Sequence, residues 1–170
     1  QLGQEALAER FGVSRMPIRE AIQHLTRMGF VTIESNKRAH VAETSESDFR
    51  DIWEMRAALE PMAMRGAMEH ITNAHIDSAS IVNMRMKDAS PDDFGRMNLA
   101  FHMMLYRPCG RARLLEQIET LFNAADRYLC MAKAPEGLRE KSNREHEDLL
   151  EACRRRDAKA ADVCLPEHVG

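Results

Sequence analysis

FGVSRMPIREAIQHL, residues 11–25, sets a proline inside what otherwise reads as an amphipathic helix, with an arginine on either side of it. Proline is costly in a helix interior but tolerated in the first turn, where its missing amide would have had no intrahelical partner. The helix therefore starts just before Pro17, with Ser14 as its N-cap. Ile18, Ala21, Ile22 and Leu25 recur at spacings of three and four and form one inward stripe. Arg15, Arg19 and Gln23 fall together on another face.

Working outward, QEALAERFG reads as a second short helix carrying Ala6, Leu7 and Phe11 inward, and Gly12 with Val13 makes a tight corner into Ser14. This is a helix-turn-helix. The second helix of such a motif enters the major groove with its N-terminal residues, here Ser14, Arg15, Met16 and Arg19. Arginine suits this place because its forked donors take a phosphate or the edge of a guanine in pairs. After Gly29, FVTIE and AHVAE alternate as two strands joined by SNKR. The hairpin is a wing with Lys37 and Arg38 at its tip.

The length suits one small and one medium domain, divided here as residues 1–43 and 44–170. The net charge of -3 excludes an unspecific basic coat for nucleic acid. Charge is nevertheless uneven: residues 1–42 carry six Lys/Arg against four Asp/Glu, and the remainder eighteen against twenty-three. The weakly positive part is the one expected on DNA. Cys109, Cys130, Cys153 and Cys164 stand far apart without a C-x-x-C pair, and neither a secretory nor a membrane-spanning stretch is visible. A reduced, cytoplasmic protein with no membrane partner is expected. The chain opens inside a motif helix, so a preceding helix that normally completes such domains is expected upstream of Gln1.

From residue 44 onward the pattern is helical throughout. TSESDFRD supplies a polar boundary, and Ser45 or Ser47 caps a long helix running to about His70 with Ile52, Met55, Leu59 and Met62 inward. Pro61 should kink it or end a segment at Glu60. Further helices are expected over about 72–88, 91–107, 111–132, 137–156 and 158–168, giving an all-α antiparallel bundle. Methionine, present twelve times, fills irregular gaps between such helices.

Within the bundle, Asn98 and His102 are four apart and share a helix face, a spacing at which two ligands can hold one ion. His146 and His168 each lie eleven residues from Asp157, the expected N-cap between the last two helices. At a rise of about 1.5 Å per residue both stand about 16 Å from that turn, at one level. Three imidazoles and an amide oxygen suit a divalent metal, zinc or nickel, and leave positions open for water or a ligand. An amide at Asn98 in place of a carboxylate removes a negative charge, so the site should bind metal less tightly or depend more on an anionic ligand to balance it. His24, His40, His70 and His75 are left as structural or surface groups.

LAERFGVSRMPIREAIQHLTRMGFVTI closely resembles the winged helix-turn-helix of GntR-superfamily transcription regulators. The remainder resembles the FCD ligand-binding domain of the FadR-type subfamily, through RAALEPMAMRGA at 56–67, NLAFHMML at 98–105, EHEDLLEACRRRDAKAA at 145–161, and His168. The resemblance implies a homodimer on a palindromic operator, with Arg15 and Arg19 on DNA and the wing at the minor groove. It also implies a small organic acid as effector and a metal held by Asn98, His102, His146 and His168, with Arg56 and Arg127 as partners for the effector carboxylate. Repression is the more common outcome in the family. The chain departs from the family pattern at Arg38, Arg111 and Pro166. A metal-dependent hydrolase or a direct metal sensor would use the same histidines, but no Glu or Asp stands in an obvious general-base position and no cysteines have chelating spacing.

Overall fold

The computed structural model describes the backbone of residues 2–27, 29–34, 38–132 and 137–169, and the side chains of all these except 91, 92, 129–132, 138 and 166–169. The chain divides into two compact units, residues 1–46 and 47–170.

In the first unit, α1 (Gln4–Phe11) ends at Gly12, whose φ of 66° is left-handed and whose N–H returns to the carbonyls of Ala8 and Glu9. Glycine takes this conformation without the Cβ penalty other residues meet. Helix α2 (Arg15–Arg27) follows immediately after Ser14, and Pro17 falls in its first turn. Strands β1 (Val31–Ile33) and β2 (Ala39–Val41) pair antiparallel with Val31 opposite Val41, and Leu2 bridges to Ala39 at the outer side of β2.

The core of this unit is Ala8, Ile18, Ile22, Val31 and Ala39. It is narrower than the sequence pattern suggests: Ala6, Ala21 and Leu25 are exposed, and Phe11 is 65 % exposed. A unit this small has too little interior to cover both flanks of each helix stripe.

The second unit is built from α3 (Glu46–Met68), α4 (Asn73–Met86), α5 (Pro91–Tyr106), α6 (Ala112–Ala132), α7 (Leu138–Arg154) and α8 (Ala158–Val169), with one 3-10 turn at Arg107–Cys109. Helix α4 packs on α5 and α7, α5 on α6, and α7 on α8. Caps explain the boundaries. Thr72 and His75 form a reciprocal capping box, the Ser90 hydroxyl accepts from the Asp93 amide, and Asp157 Oδ1 accepts from the Ala160 amide at 3.0 Å.

Two expectations for α3 are corrected. The helix continues through Pro61, so the segment does not end at Glu60. Ala63, Met64 and Ala67 beyond it are fully buried, and their packing outweighs a proline cost of about 3 kcal/mol. The inward face is also rotated. Met55 and Met62 are 46 % and 37 % exposed, whereas Ile52, Arg56, Glu60, Met64 and Ala67 are buried. Two charged residues define this stripe because they are paired with each other, which hydrophobic periodicity alone cannot register.

Candidate operator interface and buried histidine site

On the first unit, Ser14, Arg15, Met16, Arg19 and Arg38 are all exposed. Arg15 Nη2 lies 2.7 Å from Glu5 Oε1 on α1, both side chains largely in solvent. Such a pair is weak and gives way readily to phosphate. Lys37 lies outside the described residues. The exposed N-terminal turn of α2 carries no acidic residue, so helix dipole and arginine charge act in the same direction, toward an anion.

In the second unit the functional groups are enclosed. His102 on α5 and His146 on α7 are 0 % exposed, and their Nε2 atoms are 3.2 Å apart. Phe101 stacks on His146 with ring centroids 4.1 Å apart, and Phe122 of α6 lies 5.0 Å from His102.

The remaining ring nitrogens fix the tautomers. His146 Nδ1 is 2.9 Å from Asn83 Oδ1, an acceptor, while Asn83 Nδ2 donates to the Asn143 carbonyl at 3.4 Å. His146 therefore carries its proton on Nδ1. On the other side Tyr106 donates to Glu60 Oε2 at 2.7 Å, which leaves its oxygen to accept from His102 Nδ1 at 3.0 Å. Burial, and then the charge of Glu60 and the bond to it, hold the Tyr106 hydroxyl well above its ordinary pKa, so it remains a donor.

With Nδ1 engaged in each ring, both imidazoles turn Nε2 toward the same point. Two lone pairs at this distance repel unless a proton or a cation stands between them. Nitrogens bound to one metal at about 2.1 Å each are about 3.0–3.4 Å apart, so the separation fits a shared ion. Asn98 Oδ1 is a second pointer: it is buried and has no hydrogen-bond partner among the described residues. Among the described residues no group of three or more His, Cys, Asp and Glu forms a metal cluster, and the His168 side chain lies outside them.

Arg56 is built into the support of the site. It is 4 % exposed, its Nε donates to Glu60 Oε1 at 2.7 Å, and its guanidinium lies 4.6 Å from the Trp53 ring centroid and 3.8 Å from that of Phe122. Arg127 donates from Nη2 to Asp48 Oδ2 at 3.3 Å, and Tyr128 bonds the same carboxylate. The sequence reading missed Glu60, Tyr106 and Asn83. The four-residue spacing of Arg56 to Glu60 and of His102 to Tyr106 was the available signal for two of them.

Comparison with known proteins agrees with both units. Residues 51–170 match the FCD domain, and residues 1–41 match the bacterial regulatory proteins of the gntR family. The HTH-type transcriptional repressor GlaR of Escherichia coli is 28% identical over 99% of this chain and 82% of its own length. The HTH-type transcriptional regulator McbR of the same organism is 29% identical over 95% of this chain and 76% of its own. The solved structure of E. coli McbR/YncC superposes with a TM-score of 0.80 at 26% identity, covering 99% of this chain and 82% of that one. No helix among the described residues is long and apolar enough to cross a membrane. The chain belongs to the GntR family of bacterial transcription regulators, in the branch that carries an FCD domain.

Proposed function

We propose that the protein is a metabolite-responsive repressor that binds a palindromic operator as a homodimer. Ser14, Arg15, Met16 and Arg19 read the major groove, and Lys37 and Arg38 approach the minor groove. In the helical unit Asn98, His102, His146 and His168 hold a divalent metal, zinc or nickel, which supplies a positive centre for a small organic acid. The single observation that carries this reading is the pair of Nε2 atoms 3.2 Å apart, each ring oriented by a hydrogen bond at its Nδ1.

The chain's own residues hold this arrangement in place. Arg56 sets Glu60, Glu60 sets Tyr106, and Tyr106 sets the His102 ring. Asn83 does the same for His146. Arg56 acts here through that relay, since its Nε is committed to Glu60 and aromatic rings lie against its guanidinium. Arg127 is the direct partner for an effector carboxylate, which would replace Asp48 there. Effector binding shifts the equilibrium between DNA-competent and DNA-incompetent arrangements by its differential affinity for the two.

The test is the metal content of the purified protein and of His102→Ala, with operator binding followed as acids are added. About one metal per chain, lost in the variant, with an acid that changes operator affinity only in the parent, supports the reading. Equal metal in both proteins, or none in either, overturns it. A change in operator affinity with zinc alone and no response to any acid would make the protein a metal sensor instead.

A further inference from the structure

The register of α5 against α7 can be read from contacts at two points. The Arg139 guanidinium of α7 lies 5.1 Å from the ring centroid of Phe94 on α5, and His146 of α7 stacks on Phe101 of α5. Seven residues separate the members of each helix, 94 to 101 and 139 to 146, so the two helices run in the same direction. Their midpoints are level, which sets Asn143 on α7 and Asn98 on α5 at the same height, one turn from the histidines. Both asparagines carry a buried Oδ1 without a hydrogen-bond partner among the described residues, and Asn143 is only 7 % exposed.

Helix α6 covers the same stretch in the opposite direction, since Phe122 meets His102 while Asp126 meets Gly95. The Asp126 carboxylate rests directly on the Gly95 backbone, where a Cβ would collide with it. Gly95 stands seven residues before His102, about 10 Å along the helix. Among the described residues no hydrogen bond or ion pair reaches this half-buried carboxylate, and burial alone raises its pKa. A carboxylate kept out of water without a partner costs stability. Between the level of the histidines and that of Gly95, three side chains, Asn98, Asn143 and Asp126, thus carry oxygen acceptors that lack donors among the described residues.

We propose that Asp126, seated on Gly95, is the selectivity end of the effector site: it accepts from a hydroxyl or ammonium at the far end of the acid and rejects a second carboxylate. This rests on the effector reading above and goes beyond it by naming the ligand's other end. Like-charge exclusion of this kind discriminates against the wrong partner without adding affinity for the right one.

The experiment measures binding of hexanoate, 6-hydroxyhexanoate, 6-aminohexanoate and adipate to the zinc-loaded full chain, and to Asp126→Asn and Gly95→Ala. The parent should bind the hydroxy and amino acids at least about tenfold more tightly than adipate, a difference of about 1.4 kcal/mol. Asp126→Asn should raise the affinity of adipate relative to 6-aminohexanoate by about that factor. Gly95→Ala, which displaces the carboxylate without removing it, should shift the ratio the same way. Equal changes for all four acids, or no change, overturn the inference while leaving the effector reading standing. If none of the four binds the parent, the inference falls, and the metal content of His102→Ala decides separately whether the effector reading falls with it.

Discussion

Arg15 and Arg19 stand in solvent on a unit whose core among the described residues is built of small or medium side chains, whereas His102 and His146 are sealed inside a helical unit and each is held by a second residue. The contrast reflects the two kinds of partner. A DNA backbone is long, outside and uniformly negative, so exposed arginines that exchange partners freely serve it best. An ion or small acid must be stripped of water and held in one geometry, which calls for enclosed ligands with fixed tautomers. Charge removal should therefore affect binding in the first unit and stability in the second.

The largest effect expected from this difference is at Arg56. Arg56→Ala leaves Glu60, 0 % exposed, without its cation, and should cost about 3–5 kcal/mol in urea unfolding. Arg15→Ala, breaking an ion pair at the surface, should cost no more than about 1 kcal/mol in the same assay. Equal losses would erase the distinction between the two regions.

Next in size is Tyr106→Phe. It removes the hydroxyl that joins Glu60 to His102, with no change in the ligand atoms themselves. Supporting partners of this kind change metal affinity by about 10–100-fold, and the variant should show that loss in a zinc competition titration. Unchanged zinc affinity would mean that the histidines are oriented by packing against Phe101 and Phe122 alone.

In the first unit, Arg19→Ala should weaken operator binding by about 1–3 kcal/mol while unfolding shifts by under about 0.5 kcal/mol. Fluorescence anisotropy at fixed salt, beside a melt, separates the two. A variant that lost stability and affinity together would place Arg19 in the support of the unit rather than on DNA.

The same contrast decides what the sequence disclosed. The Pro17 helix, the Gly12 corner and the hairpin are local patterns, each set by a few neighbouring residues, and the structure has all three. The helix boundaries of the second unit were legible for the same reason: Asp157 was read as a cap, and the structure adds Thr72 and Ser90. The route of α3 through Pro61 was not, because packing against other helices overrides a local breaking signal. Asn83 escaped notice because its partner His146 is 63 residues away; Glu60 and Tyr106 each stand four residues from one partner, but the bond that joins them spans 46 residues. His102 and Asn98 were legible as a pair, since four residues on one helix need no tertiary information.

The smallest expected effect tests whether the second unit tolerates an enclosed charge that has no partner. Burial raises the Asp126 carboxyl above its ordinary 3.8, so the folded protein favours the protonated form relative to the unfolded chain. The sign follows from linkage: stability is full below the unfolded value and declines as pH rises through the raised folded value. Asp126→Asn removes that titration, so the variant should melt above the parent at pH 7, and the difference should shrink as pH falls below about 4. A difference independent of pH would mean that the carboxylate is solvated in the folded state. The second unit would then resemble the first at this one position, with its charge facing water rather than a ligand.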